Sequence, residues 1–212
     1  MINEEVSRGK AACATPDRRL ERRRAMIEAA ESLFLEQGYD TTSLAAIVKR
    51  SGGSLATLYE LFGNKQGLLR AIIELRDEQD RCPGYGEDCA TKKPSELLRG
   101  YAHRLYAHVT SKRAIALKRI VITEALRDPD FARTLYEDIH LPSVRELADI
   151  LRALDEQGKA NIDDPMAAAG LFFAIVMSDA QMRALVEGDD GLLDPAALDW
   201  RLKPFLSYFE ID

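Results

Sequence analysis

Residues 38–69 read GYDTTSLAAIVKRSGGSLATLYELFGNKQGLL. The run reads as two short helices joined by a tight glycine turn, followed by an aromatic-rich junction into a longer helix. Thr42 can cap the first short helix, whose inward face is Leu44, Ile47 and Val48. Ser51-Gly52-Gly53 makes the turn. Ser54 can cap the second, which is expected to end near Tyr59 or Glu60, and Asn64 can cap the third, with Leu68, Leu69, Ile72, Ile73 and Leu75 inward. Two helices at this spacing turn one of them outward, at a width suited to a DNA major groove.

The flanking sequence continues in helices. Met26, Ile27, Ala30, Leu33 and Phe34 share one face of a helix expected over 17–37, and Gly38 stops it. Pro94 opens a helix carrying Leu97, Leu98, Tyr101, Leu105 and Tyr106, and another is expected over about 113–126. Asp128-Pro129, Asp164-Pro165 and Asp194-Pro195 each place a capping carboxylate before a proline at the first helical position. Gly158, Gly188 and Gly191 mark helix ends. Aromatic residues are only 7% of the chain while hydrophobic residues are 46%, which favours packed helices over a sheet. The fold class is therefore all-α, with nine or ten helices. The segment 165–177, PMAAAGLFFAIVM, is apolar on all sides. It is either a core helix of a monomer or a helix covered partly by a second subunit. Leu198, Leu202, Phe205 and Phe209 form the stripe of the last helix.

The net charge of −6 is unevenly placed. Residues 1–70 hold 11 Lys/Arg against 9 Asp/Glu, and residues 71–212 hold 18 against 26. A slightly basic amino end suits phosphate binding, which needs only a local basic surface. No apolar stretch approaches the roughly 20 residues of a membrane span, so no membrane partner is expected and the location is cytoplasmic. Cys82 and Cys89 in CPGYGEDC are a regulatory disulfide or two reduced thiols, and Cys13 is expected free. His103, His108 and His140 lack metal-ligand spacing. Neither a metal nor a cofactor is expected.

From helix 1 to helix 4 the chain resembles the TetR/AcrR family of transcriptional regulators. The resemblance rests on Met26-Ile27, Ala29-Ala30, Leu33-Phe34, Gly38-Tyr39, Thr42-Ser43, Ile47, Gly52, Ser54, Thr57-Leu58-Tyr59, Phe62, Lys65 and Leu68-Leu69. Val48, Ser51, Leu55, Ala56 and Gln66 depart from the family pattern. So does Gly53, which stands where a valine is usual, so a buried contact is expected to be missing there. Residues 113–186 resemble, more weakly, the C-terminal domain of the AefR-like branch. Residues 1–16 read as a flexible arm, and the resemblance implies a three-helix helix-turn-helix DNA-binding domain at 17–64 and a C-terminal helical ligand-binding and dimerisation domain at 65–212. It implies a homodimer on double-stranded DNA, controlled by a small-molecule effector, most often as a repressor.

Ser54, Leu55, Ala56, Thr57 and Tyr59 are the candidate readers on helix 3. Leu55 and Ala56 can pack on thymine methyls, and Thr57 can bond a base or phosphate. Leu55 could instead face the core. Thr42 and Ser43 start helix 2, where amide dipoles favour a phosphate. The resemblance adds Tyr59 and Lys65 as backbone contacts. Lys49 and Arg50 lie close enough to help, and RRLERRR (18–24) is either a further DNA contact or a solvated helix face. Candidate ligand contacts are Tyr101, Tyr106, Phe173 and Met177. Helix 4, joining the two domains, is the expected route of control. Two rivals stay open: a protein-interaction adaptor that kept the fold and lost DNA binding, and an all-helical enzyme. For an enzyme no nucleophile–base motif is present, and Glu124, Glu137 and Asp138 read as solvated or capping carboxylates.

Overall fold

A computed structural model describes residues 18–80, 93–187 and 195–212. The expectations for the arm at 1–16, for Cys13, Cys82 and Cys89, for Gly188 and Gly191, and for the Asp194 cap lie outside these residues. Those described form ten α-helices and no strand: α1 Arg18–Gln37, α2 Leu44–Ser51, α3 Leu55–Phe62, α4 Lys65–Asp80, α5 Pro94–Val109, α6 Lys112–Arg127, α7 Pro129–Leu135, α8 Leu141–Glu156, α9 Pro165–Glu187 and α10 Pro195–Tyr208. A single π-helical turn, Tyr136–His140, links α7 to α8.

Helix starts follow side-chain caps. Ser54 accepts from the Thr57 amide at 3.1 Å, Asn64 from Gly67 at 2.7 Å, and Asp164 from Ala167 at 3.0 Å. Asp128 accepts from both Asp130 and Phe131. Each such bond satisfies an amide with no partner inside the helix, and its loss costs about 1 kcal/mol. The cap of α2 differs from the expectation. Ser43, not Thr42, accepts from the Ala46 amide. Thr42 is 2% exposed, and its hydroxyl sits between the carbonyls of Gly38 and Leu33 at 2.7 and 3.2 Å. It closes the end of α1 instead of opening α2. Helix α3 also runs two or three residues past the expected end, to Phe62, because Phe62 is still buried in the core that Leu58 enters.

One apolar cluster joins α1 to α4 with α6, α7 and the π turn through Leu117, Phe131, Leu135 and Ile139. A second joins α5, α8, α9 and α10 around Tyr101, Leu151, Phe172 and Phe205. The amino-terminal helices therefore share a core with α6 and α7. Helix α9 buries Ala168, Ala169, Phe172, Phe173 and Val176, while Met166 and Leu171 on its outer side remain exposed. Among the described residues no helix is long and apolar enough to cross a membrane.

The gap expected at Gly53 is filled. A Cβ at this position would lie 2.2 Å from the Met26 Cε atom, and Met26 is fully buried. The methionine from α1 takes the volume that a turn side chain would otherwise hold. Gly53→Val should therefore overpack the site and cost about 1–3 kcal/mol, while Met26→Ala alone leaves a void. The double variant should be more stable than the two single losses predict, by about 1 kcal/mol in urea denaturation. Simple additivity would mean that the two residues do not share the space.

Candidate nucleic-acid interface and its coupling to a cavity

Helix α3 is held from one side and open on the other. Leu58 is fully buried, whereas Leu55 and Tyr59, one turn apart, are 42% and 54% exposed. Ala56 beside them is exposed, as is Ser43 at the start of α2. Thr57 is half-buried, with its hydroxyl 2.9 Å from that of Ser54, so these two polar groups are engaged in the cap. Leu55 thus faces outward and not into the core. Lys49 is exposed at the end of α2, but Arg50 turns back to α1, donating to Glu36 at 2.9 Å and Ser32 at 3.1 Å.

Lys65 is not extended. Its ammonium donates to the Asp40 carbonyl at 3.2 Å and lies 4.5 Å from the centre of the Tyr39 ring. Burial pushes its pKa below the ordinary lysine value, against the pull of Asp40 and Glu124. It sits at the start of α4 against the α1–α2 connection. The basic run on α1 is partly tied down: Arg19 pairs with Glu60, Arg24 with Glu28, and Arg23 lies over the Phe62 ring.

The amino-terminal module is anchored to α6 at two places that sequence reasoning missed. At the start of α6, Arg113 donates to Glu31 of α1 at 2.5 Å, and Arg76 of α4 donates to the other oxygen at 2.6 Å. Glu31 is completely buried. Burial by itself would raise its pKa, but the hydrogen bonds and charges of Arg113 and Arg76 outweigh this and hold it below the ordinary carboxylate value. At the end of α6, Arg127 grips both oxygens of Asp40, at 2.9 and 3.2 Å. Glu124, 2.9 Å from the same arginine, is buried and also accepts from Gln66 at 3.4 Å. Burial and Glu124 together push the Tyr39 hydroxyl's pKa well above the ordinary tyrosine value. Glu124 is therefore an inter-helix anchor and not a solvated carboxylate, and Asp138 is likewise paired, with Arg70 of α4 at 2.8 Å.

Between these anchors, Ala114, Leu117, Lys118 and Val121 of α6 face a cavity of about 490 Å³. Tyr101, Phe173 and Met177, expected as ligand contacts, line it. Tyr106 does not. It is buried in the α5–α8–α9–α10 core, where its spacing on α5 turns it away from the opening. The other walls come from α4 and the π turn, including Arg76, Tyr136 and His140. A π-helical turn at a cavity is a recurrent feature of functional sites.

Residues 96–202 match the family model described as the AefR-like transcriptional repressor C-terminal domain, and residues 26–72 match that of the bacterial regulatory proteins of the tetR family. The HTH-type transcriptional repressor ComR of Escherichia coli K12 is 44% identical over 52 residues, 24% of this chain and only 25% of ComR's length. The flavonoid-responsive regulator FrrA is 32% identical, with a TM-score of 0.66 over 88% of this chain and 96% of its own. A candidate TetR-family transcriptional regulator of Mesorhizobium loti shares the fold at a TM-score of 0.76, covering 92% and 99% of the two chains, at 24% identity.

The Glu31 clasp has a definite pH signature. A carboxylate whose pKa is lowered by folding contributes stability at neutral pH, which is lost as pH falls from its ordinary value through the lowered one. Glu31→Gln should cost about 2–3 kcal/mol at pH 7, less than a fully buried pair because Arg113 is half in water. The deficit relative to the parent should shrink below about pH 4. Urea denaturation at pH 7 and pH 3 measures it, and an equal deficit at both would contradict the assignment.

Proposed function

We propose that this chain, which belongs to the TetR family of transcriptional regulators, acts as a dimeric repressor that a small molecule releases from its operator. The observation that carries the reading is the outward face of α3, where Leu55, Ala56 and Tyr59 stand in solvent while Leu58 anchors the helix beneath. A helix that exposes two large apolar side chains one turn apart has a surface suited to base edges and thymine methyls. Ser43, at the exposed start of α2, offers a hydroxyl and helix-end amides to a phosphate. Tyr59 offers a phenol to the backbone. Lys65 reaches the backbone by leaving the Asp40 carbonyl. Thr42, being buried, contributes by fixing the turn, and Ser54 and Thr57 by holding the start of α3. DNA reading belongs to 17–64, and ligand binding and dimerisation to 65–212.

Dimerisation is supported by exposed apolar groups on the outer sides of the last two helices, Met166 and Leu171 on α9, Trp200 and Tyr208 on α10. A second subunit seated on these two helices would cover them. A symmetric pair would place two α3 helices on related half-sites along one side of the duplex.

Release is supported by the construction of α6. The helix lines the cavity in its middle and holds the amino-terminal module at both ends. A molecule that binds one placement of α6 better than another shifts the distance between the two α3 helices, and by linkage DNA must weaken that molecule equally. Helix α4 joins in through Arg76 and Arg70. The repressor description of the matched C-terminal family, together with FrrA's response to flavonoids, supports an organic effector.

Two sets of variants test the reading, with gel shifts on the DNA upstream of the chain's own gene. Ala56→Asp should abolish specific binding through repulsion from the duplex, whereas Tyr59→Phe and Lys65→Ala should weaken specific and nonspecific binding alike. Unchanged affinity in all three, with folding intact, would remove α3 as the reading element and favour an adaptor without DNA. Separately, Leu171→Arg combined with Trp200→Arg should convert the dimer to a monomer in light scattering and lower operator affinity at least about tenfold, since half-site binding loses its linked partner. A wild-type chain that is monomeric at micromolar concentration would contradict the dimer.

A further inference from the structure

The cavity carries a charge pattern that narrows its ligand. This inference rests on the proposal that the cavity is the effector site. Its volume, about 490 Å³, falls within the roughly 300–1,000 Å³ of small-molecule sites. Three cations line it, Arg76, Arg113 and Lys118, against one lining carboxylate among the described residues, Glu146. The two arginines are already neutralised in part by Glu31 behind the wall. Lys118 is different. It projects from the middle of α6 beside Leu117 and Val121, and among the described residues no carboxylate forms a salt bridge with it. Burial alone acts on this ammonium, pushing its pKa below the ordinary lysine value. A cation left half-buried without a counter-charge is costly to keep, and a ligand that brings the counter-charge removes that cost.

The rest of the wall specifies the body of the ligand. Tyr136 lies 5.4 Å from His140, His140 lies 6.1 Å from Phe173, and Phe173 meets Tyr101 edge-on at 6.4 Å. All four line the cavity, and Leu105, Ile139 and Met177 fill the spaces among them. A linked series of rings with apolar filling suits a flat aromatic body better than a sugar or a polar chain. A cationic ligand would meet Lys118 and both arginines with only Glu146 in its favour.

We infer that the cavity binds a small aromatic monoanion, a carboxylate or ionised phenol on a one- or two-ring body, with its negative group against the Lys118 ammonium. Discrimination against the neutral analogue then resides in Lys118, because a neutral group leaves the ammonium unpaired.

The test uses two probes of the same shape, 2-naphthoate and 2-naphthalenemethanol, titrated calorimetrically into the full-length chain at neutral pH. The wild type should prefer the carboxylate by at least about tenfold, a difference of about 1.4 kcal/mol. Lys118→Met, similar in length but uncharged, should erase that preference while leaving binding of the alcohol within about threefold, and Lys118→Arg should retain it. Thermal melts of both variants establish that they are folded. Equal binding of the two probes by the wild type overturns the inference. So does a carboxylate preference that survives Lys118→Met, or binding of neither probe at concentrations up to about 1 mM. Gel shifts on the same preparations keep the two proposals apart. Carboxylate selectivity without DNA binding sinks only the repressor reading, and DNA binding without selectivity sinks only this one.

Discussion

Glu31 cannot sit where it does without two arginines from elsewhere in the chain. A completely buried carboxylate is unfavourable unless it is neutralised and hydrogen-bonded, and its partners, Arg76 and Arg113, come from α4 and α6. That requirement fixes α1, the central support of the amino-terminal module, against the helix that lines the cavity. Leu117 on α6 adds apolar burial to the same joint, and Arg127 with Asp40 repeats the ionic anchoring at the far end. The two halves of the molecule are therefore mechanically continuous through α6, with α4 as a second support.

This arrangement gives a physical meaning to the proposed control at a distance. Packed helices move between discrete placements instead of deforming smoothly, so a helix pinned at both ends to one body and lining a cavity in its middle suits the proposed two-state role. The π turn adds a second path, since Tyr136, Ile139 and His140 line the cavity while Asp138 holds Arg70 of α4. Both paths end on the helices that support α3. The face of α3 itself is simple: a buried Leu58 and Phe62 fix its rotation, and rotation decides which side chains stand in solvent.

Much of this was legible in the sequence because it is governed by local rules. The helix starts at Ser54, Asn64, Asp128 and Asp164 follow from capping chemistry within three residues, and the inward faces follow from helical spacing. The outward placement of Leu55 and Tyr59 follows once Leu58 is assigned to the core. What was not legible depends on partners far along the chain. Glu31 looks like any acidic residue of a surface helix, and nothing near it signals arginines 45 and 82 positions away. Glu124 reads as solvated or capping for the same reason. Thr42 and Ser43 are adjacent hydroxyls, and only the end of α1 decides which of them turns inward. Gly53 seemed a missing contact because Met26 is flexible enough to fill the space from another helix. Tyr106 shares the apolar pattern of Tyr101 on α5, and periodicity alone does not separate a cavity wall from a core.

The central claim is that a symmetric pair of these chains lays the α2–α3 face against a duplex, held there largely by phosphate contacts. Fluorescence anisotropy of a labelled upstream duplex, titrated at several salt concentrations, tests it most directly. The account predicts saturation at two chains per site and a logarithm of affinity that falls linearly with the logarithm of salt, with a slope of about −4 or steeper for four or more neutralised phosphates. Binding that is indifferent to salt, or saturation at one chain per duplex, would contradict it.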